Sequence, residues 1–234
     1  MLKVLGQQFI YTLINPLVQF LIKYKVSPNL ITSIGLGINV LATIVFILGA
    51  ETAPRTDLSY VGWAGFLILF GGLFDMIDGR LARLGDMSTT FGALYDSVLD
   101  RYSELIMFFG ICYYLISHDY FFSSMFAFVA LVGSIMVSYT RARAEALGID
   151  CSVGFMQRPE RVIIIGLSAI LCGVTAYFLG GDYRVFSEFI NYPIFEPIFV
   201  FITPMAIVAI LANITALKRL NHCRLELEKK GNDQ

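Results

Sequence analysis

The sequence predicts an all-α integral membrane protein: six transmembrane helices preceded by an N-terminal amphipathic interfacial helix. Its 234 residues are 57% hydrophobic and 15% charged, whereas a soluble domain carries about 25% charged residues. The mean hydropathy is +0.71, and long apolar runs alternate with short polar loops. The net charge is −1, so bulk charge gives no indication of a nucleic-acid partner. The four cysteines are scattered and are expected to be reduced and mostly buried.

The N-terminal segment, residues 1–25, is predicted to form the interfacial helix. Leucine, isoleucine and phenylalanine recur there at helical spacing, with glutamine and asparagine between them. Pro16 should bend this helix, and Lys3, Lys23 and Lys25 suit the headgroup region. The alternative is a weakly hydrophobic spanning helix.

Residues 26–224 are predicted to form one membrane domain, followed by a polar tail at 225–234 that is expected to fray. Ser27-Pro28 is a helix-start signal, and the 23 residues from Pro28 to Ala50 carry no charge, which is enough to cross a bilayer. The other spans are expected at 60–83, 90–117, 121–147, 159–180 and 197–224. The span at 90–117 differs from the others because its first half is charged.

Six spans would place both chain termini on one side of the membrane. That topology assigns 15 of the 17 lysines and arginines to the terminal side and leaves Arg55 and Arg184 on the other. The positive-inside rule then makes the terminal side cytoplasmic. We therefore expect a multi-pass protein of the cell (inner) membrane, with its termini and its polar site facing the cytoplasm.

Four aspartates lie where two predicted spans meet the cytoplasmic boundary. Asp75 and Asp78 are three residues apart, and Asp96 and Asp100 are four apart, so each pair shares a helix face. Carboxylates about 4 Å apart repel by roughly 4 kcal/mol at an effective dielectric near 20, so protons or cations must relieve the cluster. An all-oxygen donor set suits Mg²⁺ or Mn²⁺. Four carboxylates exceed what one partly hydrated ion needs, which favours two ions and phosphoryl chemistry.

Small residues flank the aspartates on both helices. Gly79 and Ala82 thin one helix, and Gly92 thins the other. Small residues allow membrane helices to pack closely, and they would also leave space for a flat group such as a nucleobase. Arg83, one turn after Gly79, can reach a phosphate with its planar guanidinium.

The stretch from Asp75 to Asp100 fits the pattern D-x2-D-G-x2-A-R-x8-G-x3-D-x3-D at every fixed position. It resembles the signature of the CDP-alcohol phosphatidyltransferases, which transfer a phosphatidyl group from a CDP-linked lipid to an alcohol and release CMP. The family's six-helix membrane fold with a preceding interfacial helix is similar to the organisation predicted above. The resemblance also suggests a homodimer.

Roles for individual residues follow from that resemblance. It implies that the four aspartates bind the metal ions and that Asp100 is also the base that accepts the proton of the attacking hydroxyl. "SPNLIT" at residues 27–32 resembles the family's P-N-x-x-T element. The residues then implied in binding the CDP end of CDP-diacylglycerol are Asn29, Thr32, Gly79, Ala82 and Arg83.

A basic cluster at the cytoplasmic ends of the last three spans bears on the acceptor. Positive-inside anchoring explains each residue alone, but their density predicts an acceptor that carries phosphate. "SYTRARAE" and "RPER" resemble the branch that makes phosphatidylinositol phosphate from inositol phosphate. The residues so implied in binding the acceptor phosphate are Ser138, Arg141, Arg143, Arg158 and Arg219; Arg161 and Lys218 belong to the same predicted rim. Arg141 departs from this pattern, because close relatives often carry lysine there. The main alternative to inositol phosphate as the acceptor is glycerol phosphate, the acceptor of phosphatidylglycerophosphate synthases.

Two non-catalytic functions are the alternatives. A carboxylate-lined ion transporter would place its acids near the bilayer midplane, with broken helices or inverted repeats, whereas these acids lie at one boundary. A non-catalytic relative would be expected to have lost an aspartate, and all four are present. The sequence therefore favours an enzyme.

Overall fold

A computed structural model describes residues 2–187 and 190–232, and within them the chain forms seven helices and one β-hairpin. In chain order these elements are α1 (Leu2–Lys23), α2 (Pro28–Thr52), α3 (Ser59–Leu84), α4 (Thr90–Ser117), α5 (Phe121–Ala146), α6 (Arg158–Leu179), β1 (Val185–Ser187), β2 (Ile190–Phe195) and α7 (Phe199–Asn232). Every predicted helix is present, and most bounds agree within two residues.

Five of the helices, α2, α3, α5, α6 and α7, are long and apolar enough to cross a membrane by length and composition. The predicted count of six spans depends on α4, whose N-terminal half carries Asp96, Asp100, Arg101 and Glu104. α4 packs against both α2 and α5, and of these four side chains only Glu104 is buried.

The helices pack in neighbouring pairs around one apolar core. Besides its contact with α4, α2 packs against α3, which in turn contacts α6, and α7 contacts both α5 and α6. Large buried side chains such as Phe46, Phe108 and Phe201 fill the centre. Ile14 and Val18 of α1 join a second cluster with Ile77 and Leu81 of α3, so α1 lies against the end of the bundle that carries the aspartates. Many large apolar side chains remain exposed on the outer faces, as expected of a protein covered by lipid.

Glycines allow α3 and α6 to approach each other closely. A Cβ added at Gly65 would lie 2.6 Å from the carbonyl oxygen of Gly166, and one added at Gly62 would lie 3.2 Å from the Cα of Gly173. Such contacts are typical of membrane helices, which gain packing energy where small residues let the backbones meet. The crossing matters for function because α3 carries Asp75 and Asp78 and α6 begins with Arg158.

The β-hairpin was not predicted from the sequence. β1 and β2 pair antiparallel with an irregular register, in which Val185 faces Phe195 and Ser187 faces Ile190. Glu196, just after β2, is buried. Its carboxylate lies 2.9 Å from Arg184 Nε and 3.6 Å from Arg55 Nη2, and accepts a hydrogen bond of 2.9 Å from the Tyr120 hydroxyl. Burial raises the pKa of Tyr120 to about 12, which keeps this donor protonated.

The polar tail departs from expectation. α7 begins at Phe199 and continues to Asn232, so the described part of residues 225–234 is helical and the predicted fraying is wrong there. Ion pairs one turn apart, Arg224 with Glu228 at 2.8 Å and Glu226 with Lys229 at 2.7 Å, stabilise this extension. The four cysteines are free, as predicted, and three of them are buried.

Candidate active site

A tight turn between α3 and α4 brings the aspartates together. Asp86 adopts a left-handed conformation, with φ of 51°, which aspartate tolerates better than most residues. Thr89 then caps α4 by accepting a hydrogen bond of 2.9 Å from the Gly92 amide. The chain reverses within these few residues, so the C-terminal turns of α3 lie beside the N-terminal turns of α4.

Arg158 lies among the carboxylates. Its Nη1 atom donates a hydrogen bond of 2.5 Å to Asp75 and lies 2.9 Å from Asp100 Oδ1. One guanidinium from α6 thus bridges acids from α3 and α4. From the sequence Arg158 was predicted only to bind the acceptor phosphate, and its place between these two aspartates was not anticipated.

Asp78 is the most buried member of the quartet, with an exposed fraction of 4%. It accepts a hydrogen bond of 2.6 Å from the Thr32 hydroxyl of α2. Thr32 was predicted to bind the CDP end of the donor, and in the structure its hydroxyl is directed at an aspartate. This bond orients the carboxylate, as an outer-shell partner orients a metal ligand.

Three cavities meet at Asp96, which lines all of them. The first has a volume of about 190 Å³ and lies between α2, α3 and α4. All the residues predicted to bind the CDP end of the donor line it: Asn29, Thr32, Gly79, Ala82 and Arg83. A Cβ at Gly92 would lie 3.3 Å from Asn29 Oδ1, so a larger residue there would narrow the cavity.

The second cavity, about 460 Å³, is cationic and opens beside Asp96 and Asp100. Four of the five residues predicted to bind the acceptor phosphate line it: Ser138, Arg141, Arg158 and Arg219. Arg219 is buried and donates hydrogen bonds to the carbonyls of Val153 (2.8 Å) and Val137 (2.7 Å).

Arg143 does not line this cavity, and its predicted contact with the acceptor phosphate stays a prediction. Two residues along a helix correspond to a rotation of about 200°, so Arg143 lies on the opposite face of α5 from Arg141 and is exposed. Lys218 is likewise exposed and does not line the cavity.

The third cavity is apolar. It has a volume of about 530 Å³ and follows the groove between α3 and α6, lined by side chains such as Phe66, Phe70 and Ile163. Its polar end is formed by Asp75, Asp96, Asp100 and Arg158. A long apolar group could therefore lie in the groove with its polar end at the carboxylates.

A buried ion pair beneath the site was missed from the sequence. Arg161 lines the second cavity with the other arginines, as its predicted place at the basic rim requires, but it is fully buried, and its Nε and Nη2 atoms donate to Glu104 Oε1 at 3.0 and 2.5 Å. Glu104 follows Asp96 and Asp100 at successive intervals of four residues. That spacing places all three acids on one stripe of α4. It is the sequence signal that could have identified Glu104 as a residue near the site.

The donor set fits a hard divalent cation in its chemistry, since all four candidate ligands are carboxylates. Within the described residues, however, no three histidine, cysteine, aspartate or glutamate side chains are arranged to hold one ion. Two of the four carboxylates, Asp75 and Asp100, lie within 2.5 and 2.9 Å of Arg158 Nη1.

Comparison with known proteins identifies the family. The family model for CDP-alcohol phosphatidyltransferases matches residues 25–195, which include all eight positions of the aspartate signature. The chain belongs to the CDP-alcohol phosphatidyltransferase family. It is therefore a transferase of phospholipid biosynthesis and a multi-pass membrane protein, and the resemblance seen in the sequence is confirmed.

Relatives of this phosphatidyltransferase include inositol lipid enzymes. It is 33% identical to the phosphatidylinositol phosphate synthase of Corynebacterium glutamicum over 181 residues, 74% of this chain and 77% of that protein. It is 43% identical to the archaetidylinositol phosphate synthase of Methanothermobacter thermautotrophicus over 107 residues, 46% of this chain and 52% of that protein.

The fold of this phosphatidyltransferase is similar to that of Mycobacterium tuberculosis phosphatidylinositol phosphate synthase, at 27% identity. The crystal structure of that enzyme with CDP-DAG bound superposes with a TM-score of 0.66, covering 89% of this chain and 92% of that chain. Its complex with manganese and citrate superposes with a TM-score of 0.67, covering 89% and 87%.

Proposed function

We propose that this enzyme transfers the phosphatidyl group of CDP-diacylglycerol to a hydroxyl of inositol phosphate, giving phosphatidylinositol phosphate and CMP. The observation that carries the proposal is the second cavity, where Arg141, Arg158 and Arg219 line a space that opens directly beside Asp96 and Asp100. A phosphomonoester is the group that such an arginine cluster recognises. The names of the relatives in Corynebacterium and Methanothermobacter support inositol phosphate over other phosphorylated alcohols.

The donor would occupy the other two cavities. Asn29, Thr32, Gly79, Ala82 and Arg83 would hold cytidine and its phosphates in the first cavity, and an acyl chain would follow the apolar groove. The pyrophosphate would then lie near Asp96, where the cavities meet. CDP-DAG bound to the M. tuberculosis enzyme, which shares this fold, supports CDP-diacylglycerol as the donor.

In the reaction the acceptor hydroxyl attacks the phosphatidyl phosphorus. A new P–O bond forms, and the bond to CMP breaks with its electrons on the CMP phosphate. The hydroxyl proton passes to Asp100. Asp100 suits this role because it lines both the acceptor cavity and the apolar groove. Asp75, Asp78, Asp96 and Asp100 would hold two Mg²⁺ or Mn²⁺ ions, which supply positive charge for the pyrophosphate. The manganese complex of the M. tuberculosis enzyme supports a divalent ion.

Arg158 would connect the two halves of the site. The same guanidinium that contacts Asp75 and Asp100 lines the acceptor cavity. It is therefore within reach of both the carboxylates and an acceptor phosphate. The arginine fork suits either partner, since both present paired oxygens.

The proposed topology has six spans, α2 to α7, with α1 in the interface and both termini in the cytoplasm. α4 has 28 residues, about 42 Å at 1.5 Å per residue, which exceeds the hydrocarbon thickness. The apolar contacts of Ile14 and Val18 with α3 support a position for α1 against the bundle. The family resemblance supports a homodimer.

The decisive experiment is a transfer assay with labelled acceptors. Membranes containing the enzyme and CDP-diacylglycerol are offered inositol phosphate, glycerol 3-phosphate, serine and free inositol in parallel. We expect labelled lipid with inositol phosphate alone. Labelling with glycerol 3-phosphate instead would make the protein a phosphatidylglycerophosphate synthase, and labelling only with serine or free inositol would refute a phosphorylated acceptor.

Two arginines of α5 provide a matched pair for the same assay. Arg141→Gln removes a charge from the cavity lining, and Arg143→Gln removes one from the outer face. Since a hydrogen bond to a charged group contributes about 1.5–3 kcal/mol, Arg141→Gln should raise the KM for inositol phosphate about 10-fold or more. The KM of Arg143→Gln should stay near that of the unmodified enzyme.

A further inference from the structure

The buried pair of Glu104 and Arg161 lies directly behind the site and has no part in the reaction described above. Arg161 is fully buried, and its third nitrogen, Nη1, donates a hydrogen bond of 3.0 Å to the carbonyl of Met156. Through these bonds Arg161 ties three elements together: α4 at Glu104, the loop before α6 at Met156, and α6 itself. Arg158 is one turn earlier on α6, so its position depends on the same anchor.

Glu104 and Arg158 also line the same small cavity. The Oε2 atom of Glu104 and the Nε atom of Arg158 are both buried and have no hydrogen-bond partner among the described residues. Both residues line one small cavity of about 10 Å³ together with Asn39, Asp75 and Ser103. The opposite charges of Glu104 and Arg158 attract each other across it. A cavity of this size has room for about one water molecule, which would bridge the two orphaned atoms.

We propose that Glu104 is a positioning residue that fixes the guanidinium of Arg158 between the catalytic carboxylates and the acceptor cavity. One carboxylate oxygen holds Arg161 and thereby the start of α6, and the other faces Arg158 across the small cavity. Without this support, Arg158 would keep its charge but lose its fixed geometry. The inference rests on the proposed role of Arg158 in the transferase site.

The first test compares Glu104→Gln with Glu228→Gln, which makes the same chemical change in an exposed ion pair with Arg224. Loss of an outer-shell carboxylate typically costs 10- to 100-fold in activity. We expect Glu104→Gln to lower kcat by about that factor and to leave the KM for CDP-diacylglycerol largely unchanged, because the first cavity is untouched. Glu228→Gln should match the unmodified enzyme.

A double variant separates positioning from simple stabilisation. Removing one partner of a buried ion pair is destabilising, whereas replacing both with apolar residues is often neutral or stabilising. Glu104→Met with Arg161→Met should therefore restore the unfolding temperature. If the pair only stabilises the fold, kcat per folded molecule returns with it; if Glu104 positions Arg158, kcat remains low.

Coupling to Arg158 completes the test. In an Arg158→Lys background, Glu104→Gln should have a much smaller effect on kcat than in the unmodified enzyme, because the group it positions is already changed. Full kcat in the double methionine variant, or additive effects of the Arg158 and Glu104 changes, would overturn the inference. Absence of transfer activity in the unmodified enzyme would instead refute the proposed function.

Discussion

Asp100 faces both the cationic cavity and the apolar groove, so it lies where an acceptor hydroxyl and a donor phosphorus would meet. Replacing it with asparagine preserves its size but removes the basic oxygen. Because general-base catalysis contributes about 10²–10⁴-fold, we expect Asp100→Asn to abolish measurable transfer while CDP-lipid binding largely survives. Transfer is measured by product labelling and binding by retention of labelled CDP-diacylglycerol; full activity in this variant would refute the base assignment.

The Thr32 hydroxyl offers a second test at the residue scale. Thr32→Val keeps the shape of the side chain but removes the 2.6 Å hydrogen bond to Asp78. A mis-oriented ligand binds its metal less well, so the Mg²⁺ or Mn²⁺ concentration for half-maximal activity should rise about 10-fold or more. Thr140→Val is the control, since that hydroxyl bonds to the Met136 carbonyl of its own helix. An unchanged metal requirement in Thr32→Val would contradict the ligand role of Asp78.

Which residues the sequence could place depended on how local their geometry is. Helical spacing predicted that the aspartates lie together, and the family resemblance assigned the residues for the CDP end, all of which line one cavity. The roles of Arg158 and Arg161 depend on where α6 meets α4, a contact between residues 57 positions apart in the case of Arg161 and Glu104. Helical spacing says nothing about such a contact, which is why the buried pair was missed.

At the scale of elements, the α3–α6 crossing determines how far Arg158 lies from the aspartates. Gly65→Ala would place a methyl group 2.6 Å from both the Gly166 carbonyl oxygen and the Ala169 Cβ. Overpacking of this kind costs about 1–3 kcal/mol, so the unfolding temperature and the transfer rate should both fall. Gly37→Ala is the matched control, because a Cβ there meets nothing within 4 Å. Equal stability of the two variants would show that the helices cross less closely.

The β-hairpin shows where element prediction from the sequence failed. Residues 185–187 and 190–195 are too short and too irregular to show a two-residue alternation, and the turn between them falls at residues outside the described ranges. Its anchor is tertiary: Glu196 pairs with Arg55 from the α2–α3 loop and with Arg184. The C-terminal end of α7 also differs from the prediction. Hydropathy alone would end this helix at the membrane boundary, but ion pairs within the polar tail stabilise its continuation.

At the scale of the whole molecule, charge is divided between the two ends. By the proposed topology, the end with the aspartates carries 15 of the 17 lysines and arginines. Three of them lie within the bundle: Arg158 and Arg219 line the second cavity, and Arg161 is fully buried. The remaining two, Arg55 and Arg184, both pair with Glu196. With only these two basic residues, the hairpin end is the one that the positive-inside rule assigns to the outside.

Cysteine labelling tests this orientation directly. Asp182→Cys places an exposed thiol beside the hairpin, and Glu228→Cys places one on the C-terminal extension of α7. In intact cells a membrane-impermeant maleimide should label the first variant and should label the second only after permeabilisation. The unmodified chain is the control and should react slowly, because three native cysteines are buried and burial raises the pKa of Cys151 to about 11. The reverse pattern would invert the topology and place the aspartates outside the cell.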